Sequence, residues 1–258
     1  RGRITYDVGN IGAPKSHYTG FLKFAYLQYK KEKFSLGGGM IPLYQYFVTD
    51  AKWGYRYILS PFHYEYGFGT PADMGIGAEY QFAPWLSADL FLVNGEGFKT
   101  AEGDSTFKAG AGLSIHPVKN LLIRGYFDTM KRDDANQQTS ELLGVYENKS
   151  FKLSASYNLQ KDHALAKGAN YNGYTFNGTL FLKEKFSLIA RFDHLESVSK
   201  SGKSQPWNIA KDGRFFMAGL ELIPVRGVAM SPNFQLWDPA LPGKPSVSRL
   251  SLHVDIKN

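Results

Sequence analysis

The amino-acid sequence predicts an all-β protein, a transmembrane antiparallel up-and-down β-barrel of about 14 strands. Two observations carry this prediction: a series of runs in which apolar and polar residues alternate, and connections between them that alternate in length. Successive side chains of a strand point to opposite faces, so each run has one apolar and one polar face. In a membrane barrel the apolar face contacts lipid and the polar face lines the interior.

The stretch TLFLKEKFSLIARFD, residues 179–193, shows the repeated unit, a hairpin of two alternating runs around a charged turn. On its second run, Phe186 and Leu188 share one face, whereas Arg191 and Asp193 share the other. A soluble antiparallel sheet gives the same alternation, with its apolar face in a core. One hairpin is therefore consistent with both a membrane barrel and a soluble antiparallel sheet.

The lengths of the connections separate these two alternatives. The predicted short connections are 31–33, 83–85, 116–120, 148–150, 184–185 and 224–227. The predicted long connections are 9–20, 42–71, 94–105, 131–138, 161–173, 196–213 and 238–246. Tight turns at one end and long loops at the other are the layout of an outer-membrane barrel. A soluble sandwich has no reason to separate its connections in this way.

Two runs carry specific predictions about which face is apolar. In the second run, 21–30, the alternation places Leu22, Phe24 and Tyr26 on the lipid face. In the eighth run, 139–147, the least regular of the series, it favours Leu143 and Val145 on that face.

Composition excludes several other classes of protein. The chain has 258 residues and no cysteine, which excludes a disulfide scaffold and thiolate metal sites. No run of 18 apolar residues is present, so no transmembrane helix is predicted. The net charge is +7, but lysine and arginine are interleaved with acidic residues along the chain, which argues against nucleic-acid binding. The chain begins at Arg1 without a signal peptide, as expected for a processed chain or a fragment.

The longest connection, 42–71, is rich in tyrosine, phenylalanine and tryptophan and also contains Lys52 and Arg56. Loops of this length are usually functional, and an aromatic loop gains stability by burial. We therefore expect residues 42–71 to fold into the barrel, against a glycine-rich inner wall, and to form a constriction in the pore. The alternatives are an extracellular flap packed on its neighbours and a contact patch for another protein.

The strand and turn patterns resemble porin-type outer-membrane proteins related to the phosphate-selective porins. The resemblance lies in LKFAYLQYKKEKFSLGGGMIPLYQY and KWGYRYI within residues 22–58, in PADMGIGAEYQF and LFLVNGEGF, and in the tail from KFSLIARFDHLE to SVSRLSLHVDIKN. It implies a diffusion channel in the bacterial outer membrane, with the third long loop folded inward. Such barrels usually have sixteen strands, the number reached here if two strands before RGRITYDV are missing. They also commonly end on an aromatic residue, whereas this chain ends on Lys257 and Asn258.

The predicted partners follow from this resemblance. They are membrane lipid and lipopolysaccharide, small polar or charged solutes or ions, and other copies of the chain in a homo-oligomer. No cofactor and no metal is expected, since the sequence contains no metal-ligand spacing, Walker loop or dinucleotide fingerprint.

The polar faces and the longest loop supply candidates for the pore lining and the constriction. These candidates are Lys23, Lys52, Arg56, Asp73, Glu79, Lys108, Arg124, Asp128, Arg191, Asp193 and Arg249. Phosphate selectivity in the relatives depends on basic residues in the pore, but the two signs of charge nearly cancel over the inward faces. Same-face pairs such as Arg124 with Asp128 and Arg191 with Asp193 favour salt-bridge networks in the wall over a ligand site.

Two other functions remain open at this point. An outer-membrane hydrolase would need a nucleophile, a base and an orienting group within reach of one another. Ser251, His253 and Asp255 share a face, but such neighbours on a strand are about 7 Å apart at Cα, too far for a preformed relay. We therefore predict that the chain is not an enzyme. A non-conducting barrel that serves as a scaffold or adhesin gives the same sequence pattern as a channel.

Overall fold

The protein is a single sheet of 14 antiparallel strands, in a computed structural model that describes residues 1–9, 19–100, 103 and 105–256. Each strand is hydrogen-bonded to the next one in chain order, which confirms the predicted up-and-down arrangement. The first seven strands are β1 (Gly2–Gly9), β2 (Thr19–Lys31), β3 (Phe34–Pro42), β4 (Ala72–Ala83), β5 (Leu86–Val93), β6 (Lys108–Ile115) and β7 (Leu121–Arg132). The others are β8 (Ala135–Glu147), β9 (Phe151–Lys161), β10 (Tyr171–Lys183), β11 (Phe186–Ser197), β12 (Gly213–Val225), β13 (Val228–Pro239) and β14 (Val247–Ile256).

The sheet is not closed between its first and last strands. Among the described residues, β1 pairs only with β2, and β14 pairs only with β13. The outward side chains of these edge strands include the most exposed apolar ones, among them Leu250 with 85% of its surface exposed. An edge strand also leaves a row of backbone N–H and C=O groups without a neighbouring strand.

The outward face of the sheet is apolar and the inward face is largely polar. Leu90 and Phe107 project outward and are exposed, whereas Asp89 and Arg124 project inward and are buried. Large apolar side chains on the outside of an antiparallel sheet, with charges inside, are the pattern of a barrel that contacts lipid.

Strand β8 departs from the predicted pattern, because its inward face is partly apolar. Leu143 and Val145, predicted to face lipid, point inward and pack with Leu122 against Val48 of the long loop. Leu142 takes the lipid-facing position and is 60% exposed, compared with 5% for Leu143. The prediction was wrong because an inward loop offers an apolar surface inside the barrel.

Strand β2 also departs from the predicted pattern of inward and outward residues, because it contains a β-bulge. Its register with β1 shifts between Thr5 and Tyr6, which leaves Lys23 as an extra residue in β2. Beyond the bulge, the inward-facing and outward-facing positions of the alternation exchange. Phe24 is therefore buried inside, whereas Leu27 faces outward. Tyr26 lines the interior with Phe24, and the predicted outward orientation of both side chains is therefore wrong.

The predicted alternation of short and long connections along the chain is confirmed, except for the connection between β7 and β8. The predicted loop 131–138 is a turn of two residues, Asp133 and Asp134. Asp133 has φ +51°, a left-handed conformation that aspartate tolerates and that tight hairpins require. Of the predicted loop 9–20, residues 10–18 lie outside the described residues, as does Lys257 at the end of the last run.

The longest loop, residues 43–71 between β3 and β4, folds into the interior as predicted. It contains helix α1 (Tyr44–Trp53), which ends at Gly54 in the left-handed conformation, and helix α2 (Phe62–Glu65). The backbone N–H of Leu43 donates to the carbonyl of Pro71, so the two ends of the loop are joined at the wall. Neither helix has the length of a membrane-spanning one.

Aromatic and aliphatic side chains attach this inward loop to the sheet. Trp53, Tyr55 and Ile58 pack against Ile189, Phe215 and Met217 of β11 and β12. Phe62 and Phe68 pack against Tyr171 of β10 and Leu195 of β11 in a second cluster. Burial of such side chains contributes about 1.5–3 kcal/mol each relative to exposure, so the loop is part of the folded core.

The adjacent residues Leu142 and Leu143 test which face of β8 contacts lipid. The chain has no native cysteine, so Leu142→Cys and Leu143→Cys each carry a single site for a fluorescent label. In lipid bilayers, we expect a lipid-borne quencher to suppress the label at position 142 strongly and the label at position 143 weakly. Equal quenching at both positions would contradict the orientation of the sheet.

Candidate functional site: the inward loop and the lumen wall

Arg124 on β7 connects the wall to the first helix of the inward loop. Its guanidinium donates to both carboxylate oxygens of Asp89 on β5, at 2.7 and 3.0 Å, and to Oγ of Ser114 at 3.0 Å. Its Nε donates to Oε1 of Gln45 in α1 at 2.7 Å, and the ring of Tyr44 lies 5.2 Å from Cζ. The arginine is thus fully buried but has its charge neutralised and its donors used, which is the condition for burying an ion pair.

Arg191 on β11 connects the wall to the second half of the loop in a similar way. Its Nε donates to both oxygens of Asp193, at 2.9 and 3.0 Å, and Nη1 donates to the carbonyl of Ser60 at 2.7 Å. The guanidinium also lies 4.9 Å from the ring centre of Trp53. Asp193 in turn accepts the hydroxyl of Tyr66 at 3.0 Å. This ion pair is therefore connected to the loop at three points.

His63 in α2 forms a third connection. Its Nδ1 lies 2.9 Å from Oε2 of Glu141 on β8 and 3.1 Å from Oδ1 of Asn158 on β9, and all three side chains are buried. Burial lowers the pKa of His63, but the contact with Glu141 and its negative charge raise that pKa by more, so it lies above its ordinary value. The charged form of the histidine is therefore favoured beside Glu141.

Seven of the eleven sequence candidates are buried. They are Lys23, Asp73, Lys108, Arg124, Asp128, Arg191 and Asp193. Lys23 donates to Asp7 at 2.8 Å, and Asp128 accepts the hydroxyl of Tyr126 at 2.6 Å. Asp73 accepts the backbone N–H groups of Gly95 and Gly97, which attaches the loop between β5 and β6 to β4.

The expected pairing within β7 is not the one that forms. Arg124 binds Asp89 across two strands, whereas Asp128 binds Tyr126 two residues away. Arg191 and Asp193, by contrast, bind each other as their shared face suggested. The spacing along one strand could not distinguish these outcomes, because partners two strands away are as close as neighbours on the same strand.

The other four candidates remain at least partly exposed to water. Lys52 lies 3.8 Å from Glu147, and Glu79 accepts the hydroxyl of Tyr44 at 2.7 Å. Arg56, in the loop, is exposed with its guanidinium 5.6 Å from the ring centre of Tyr46. Arg249 on β14 is exposed and donates to Oε1 of Gln235 on β13 at 2.6 and 3.0 Å.

A cavity of about 280 Å³ lies between α1 and the wall formed by β1 to β5. Tyr44 and Phe47 line it from the helix, and Phe91 lines it from β5. On β3 and β4 the lining includes Gly37 and Gly77, which are directly paired across the two strands. The absence of side chains at this pair leaves the space open beneath the helix.

Several residues that hold the loop in place were not singled out from the sequence. Gln45, His63 and Glu141 make buried contacts between the loop and the wall. The polar residues inside the aromatic loop were the available signal, because a buried polar group needs a partner. Their partners on the wall could not be read from alternation alone.

The histidine of the hydrolase trio has a partner on the neighbouring strand. The ring of His253 contacts the side chain of Asn233 on β13, at 2.9 Å from Nδ1 to Nδ2. Among the described residues, no group of three histidine or acidic side chains is arranged to hold a metal ion.

Solved structures with a similar fold are outer-membrane proteins. The loop L8 deletion mutant of OmpT of Vibrio cholerae has a TM-score of 0.68 at 12% identity, over 92% of this chain and 80% of that chain. OmpF of Salmonella typhi, in a complex with daunomycin, has a TM-score of 0.66 at 10% identity, over 92% and 78%. The outer membrane channel DcaP of Acinetobacter baumannii has a TM-score of 0.60 at 11% identity, over 98% and 78%.

These comparisons establish a porin-type barrel fold. No protein-family model and no curated protein sequence matches the chain. The resemblance to the phosphate-selective porins is thus supported at the level of the porin barrel, and not for that family in particular. The predicted location in the bacterial outer membrane agrees with the neighbours, which are outer-membrane proteins of Gram-negative bacteria.

Removing one partner of a buried ion pair tests how strongly the wall holds the loop. Asp193→Ala leaves the buried Arg191 guanidinium without its counter-charge, and we expect a loss of about 3–5 kcal/mol in the free energy of unfolding. The measurement is urea unfolding in detergent. Asp134→Ala is the control, because the pair of Asp134 with Lys167 is exposed and should leave the midpoint unchanged. A loss no larger than that of the control would contradict the role of Asp193.

The contact of His63 with Glu141 predicts that the loop loosens at high pH. Because the pKa of His63 is raised, its stabilising effect is complete below the ordinary value of 6.5 and is lost as the pH rises through the raised value. As the pH rises from 6.5 through the raised pKa of His63, hydrogen exchange of residues 62–69 should accelerate beyond the intrinsic pH effect.

His63→Gln should abolish this pH dependence. His163→Gln is the matched control: burial, with Lys211 and Lys108 nearby, lowers the pKa of His163, so this histidine loses its proton below the ordinary value of 6.5. A pH response that persists in His63→Gln would assign the effect to another group.

Proposed function

We propose that the protein is an outer-membrane channel for the passive diffusion of small polar or charged solutes. The observation that carries this proposal is the inward loop, which is bonded to the inner wall while charged side chains beside it stay accessible to water. A loop fixed in the lumen by buried ion pairs narrows a passage without depending on a moving part. The porin neighbours support a function of this class.

The water-exposed charges on the inside are of both signs. Arg3 and Asp7 lie on β1, Arg249 lies on β14, and Arg56 lies on the loop that faces them. We propose that these four residues, with Lys52 and Glu79, line the solute path, and that the other candidates act as wall contacts.

This distribution argues against a strong preference for phosphate. Arg124 and Arg191 are neutralised by Asp89 and Asp193, so neither charge is available to an anion. The accessible residues combine arginine and lysine with acidic groups, and a mixed lining tunes selectivity moderately. We propose a weakly selective channel, embedded in lipid and lipopolysaccharide and assembled as a homo-oligomer.

Planar bilayer recordings test the proposal directly. The purified chain should produce step-like ion currents of uniform size. A silent protein that inserts correctly would favour the alternative, a non-conducting barrel that acts as a scaffold or surface-binding protein. We propose that the chain has no catalytic activity; hydrolysis of lipid or peptide that disappears in His253→Ala would instead support an outer-membrane enzyme.

Reversing the exposed arginines should change ion preference. The double variant Arg56→Glu with Arg249→Glu replaces two accessible positive charges by negative ones, so the reversal potential in a KCl gradient should move toward cation preference. Lys149→Glu, in an exposed turn between β8 and β9, is the matched control and should leave the potential unchanged. If both variants behave alike, these arginines do not line the path.

A further inference from the structure

We propose that the cavity between α1 and the glycine-lined wall is a binding site for a small organic ammonium ion with an apolar body. This inference goes beyond the conduction proposed above: it adds a ligand site at Glu79, one of the residues proposed to line the solute path, and binding at that site can be measured without ion current. It rests on three features of the cavity: its aromatic lining, an unneutralised carboxylate, and a floor without side chains.

The aromatic lining favours a cation with an apolar body. Tyr26 of β2, Tyr44 and Phe47 of the loop, and Phe91 of β5 surround the space. Aromatic faces attract ammonium groups and bury apolar groups at the same time. One cation already uses this surface, since the guanidinium of Arg124 lies 5.2 Å from the ring centre of Tyr44.

The charge of the lining is negative at one end. Asp89 is neutralised by Arg124, but no lysine or arginine in the described part of the chain forms an ion pair with Glu79. One oxygen of Glu79 accepts the hydroxyl of Tyr44 at 2.7 Å, which fixes the carboxylate at the cavity. An ammonium ion would supply the missing counter-charge.

Arg3, the basic residue of the lining, lies on the exposed edge strand β1. Its Nε donates to Oγ1 of Thr5 at 3.0 Å, and its guanidinium lies 4.7 Å from the ring centre of Phe24. An anion entering the cavity would meet the carboxylate of Glu79, whereas the positive charge of Arg3 lies at the water-exposed edge strand. The geometry therefore favours a positively charged ligand over a negatively charged one.

The floor of the cavity limits the ligand to a small molecule. Gly37 and Gly77 face each other in β3 and β4, and a Cβ on Gly37 would meet nothing closer than 3.6 Å. A larger side chain at position 37 therefore fits the backbone but occupies the cavity. Its volume of about 280 Å³ lies at the lower end for ligand pockets and suits one ring with a short amine chain.

Isothermal titration of the full chain in detergent with phenethylammonium tests the proposal. We expect saturable binding with one site per chain. In Glu79→Gln we expect a loss of affinity of about tenfold or more, which corresponds to about 1.4 kcal/mol of binding free energy. Gly37→Val should abolish binding by filling the space. Phenylpropionate, an anion of similar shape, should not bind.

Glu221→Gln is the matched control. Glu221 is also a partly buried carboxylate that accepts a tyrosine hydroxyl of the loop, that of Tyr57 at 3.1 Å, but it lies outside the cavity. This variant should bind phenethylammonium as the parent does. Equal binding by Glu79→Gln, or equal binding of phenylpropionate, would overturn the proposal and would assign the heat to partition into detergent.

The outcome is distinguishable from a failure of the channel proposal. Binding in detergent without ion current in bilayers supports the site and not conduction, and ion current without binding does the reverse. The unfolding midpoint of each variant in urea confirms that the barrel is intact, so a loss of binding in Glu79→Gln cannot arise from unfolding.

Discussion

The structure depends on the burial of positive charge inside the sheet. A guanidinium removed from water is tolerated only when a counter-charge and hydrogen-bond acceptors surround it. Arg124 and Arg191 meet this condition by combining a carboxylate of the wall with an oxygen of the loop, from Gln45 and from Ser60. The loop therefore supplies hydrogen-bond acceptors for the buried arginines of the wall, and the same contacts hold the loop in place. Neither part could keep its present arrangement without the other.

This mutual dependence explains why so few candidate pore residues are accessible. A polar inner face was expected to be a wet one, but the inward loop converts much of it into a dry interface. Aromatic packing by Trp53 and Phe62 excludes water from the side of β10 to β12, and the charges there become internal ion pairs. Among the candidates, the accessible charges are those of Lys52 and Arg56 on the loop, Glu79 on β4 and Arg249 on the edge strand β14.

Alternation and connection length predicted the strands, their order, and the inward course of the longest loop. These features follow from local periodicity and from the cost of exposing aromatic surface, both of which are visible in one sequence. The bulge at Lys23 and the inward face of Leu143 were missed, because each depends on what a distant segment places opposite the strand. The partners of Arg124 and His63 were missed for the same reason: they are set by register across several strands and by a helix that the strand pattern does not describe.

The unequal lengths of the strands have a mechanical consequence for the surrounding bilayer. Strands β5 and β6 have 8 residues each, whereas β8 has 13. At about 3.3 Å per residue and with the usual tilt of barrel strands, the shorter ones scarcely cross a hydrocarbon layer of about 25 Å, whereas the longer ones project beyond it. Lipids beside β5 and β6 must therefore compress while those beside β8 need not, so the protein would deform its membrane unevenly around its circumference.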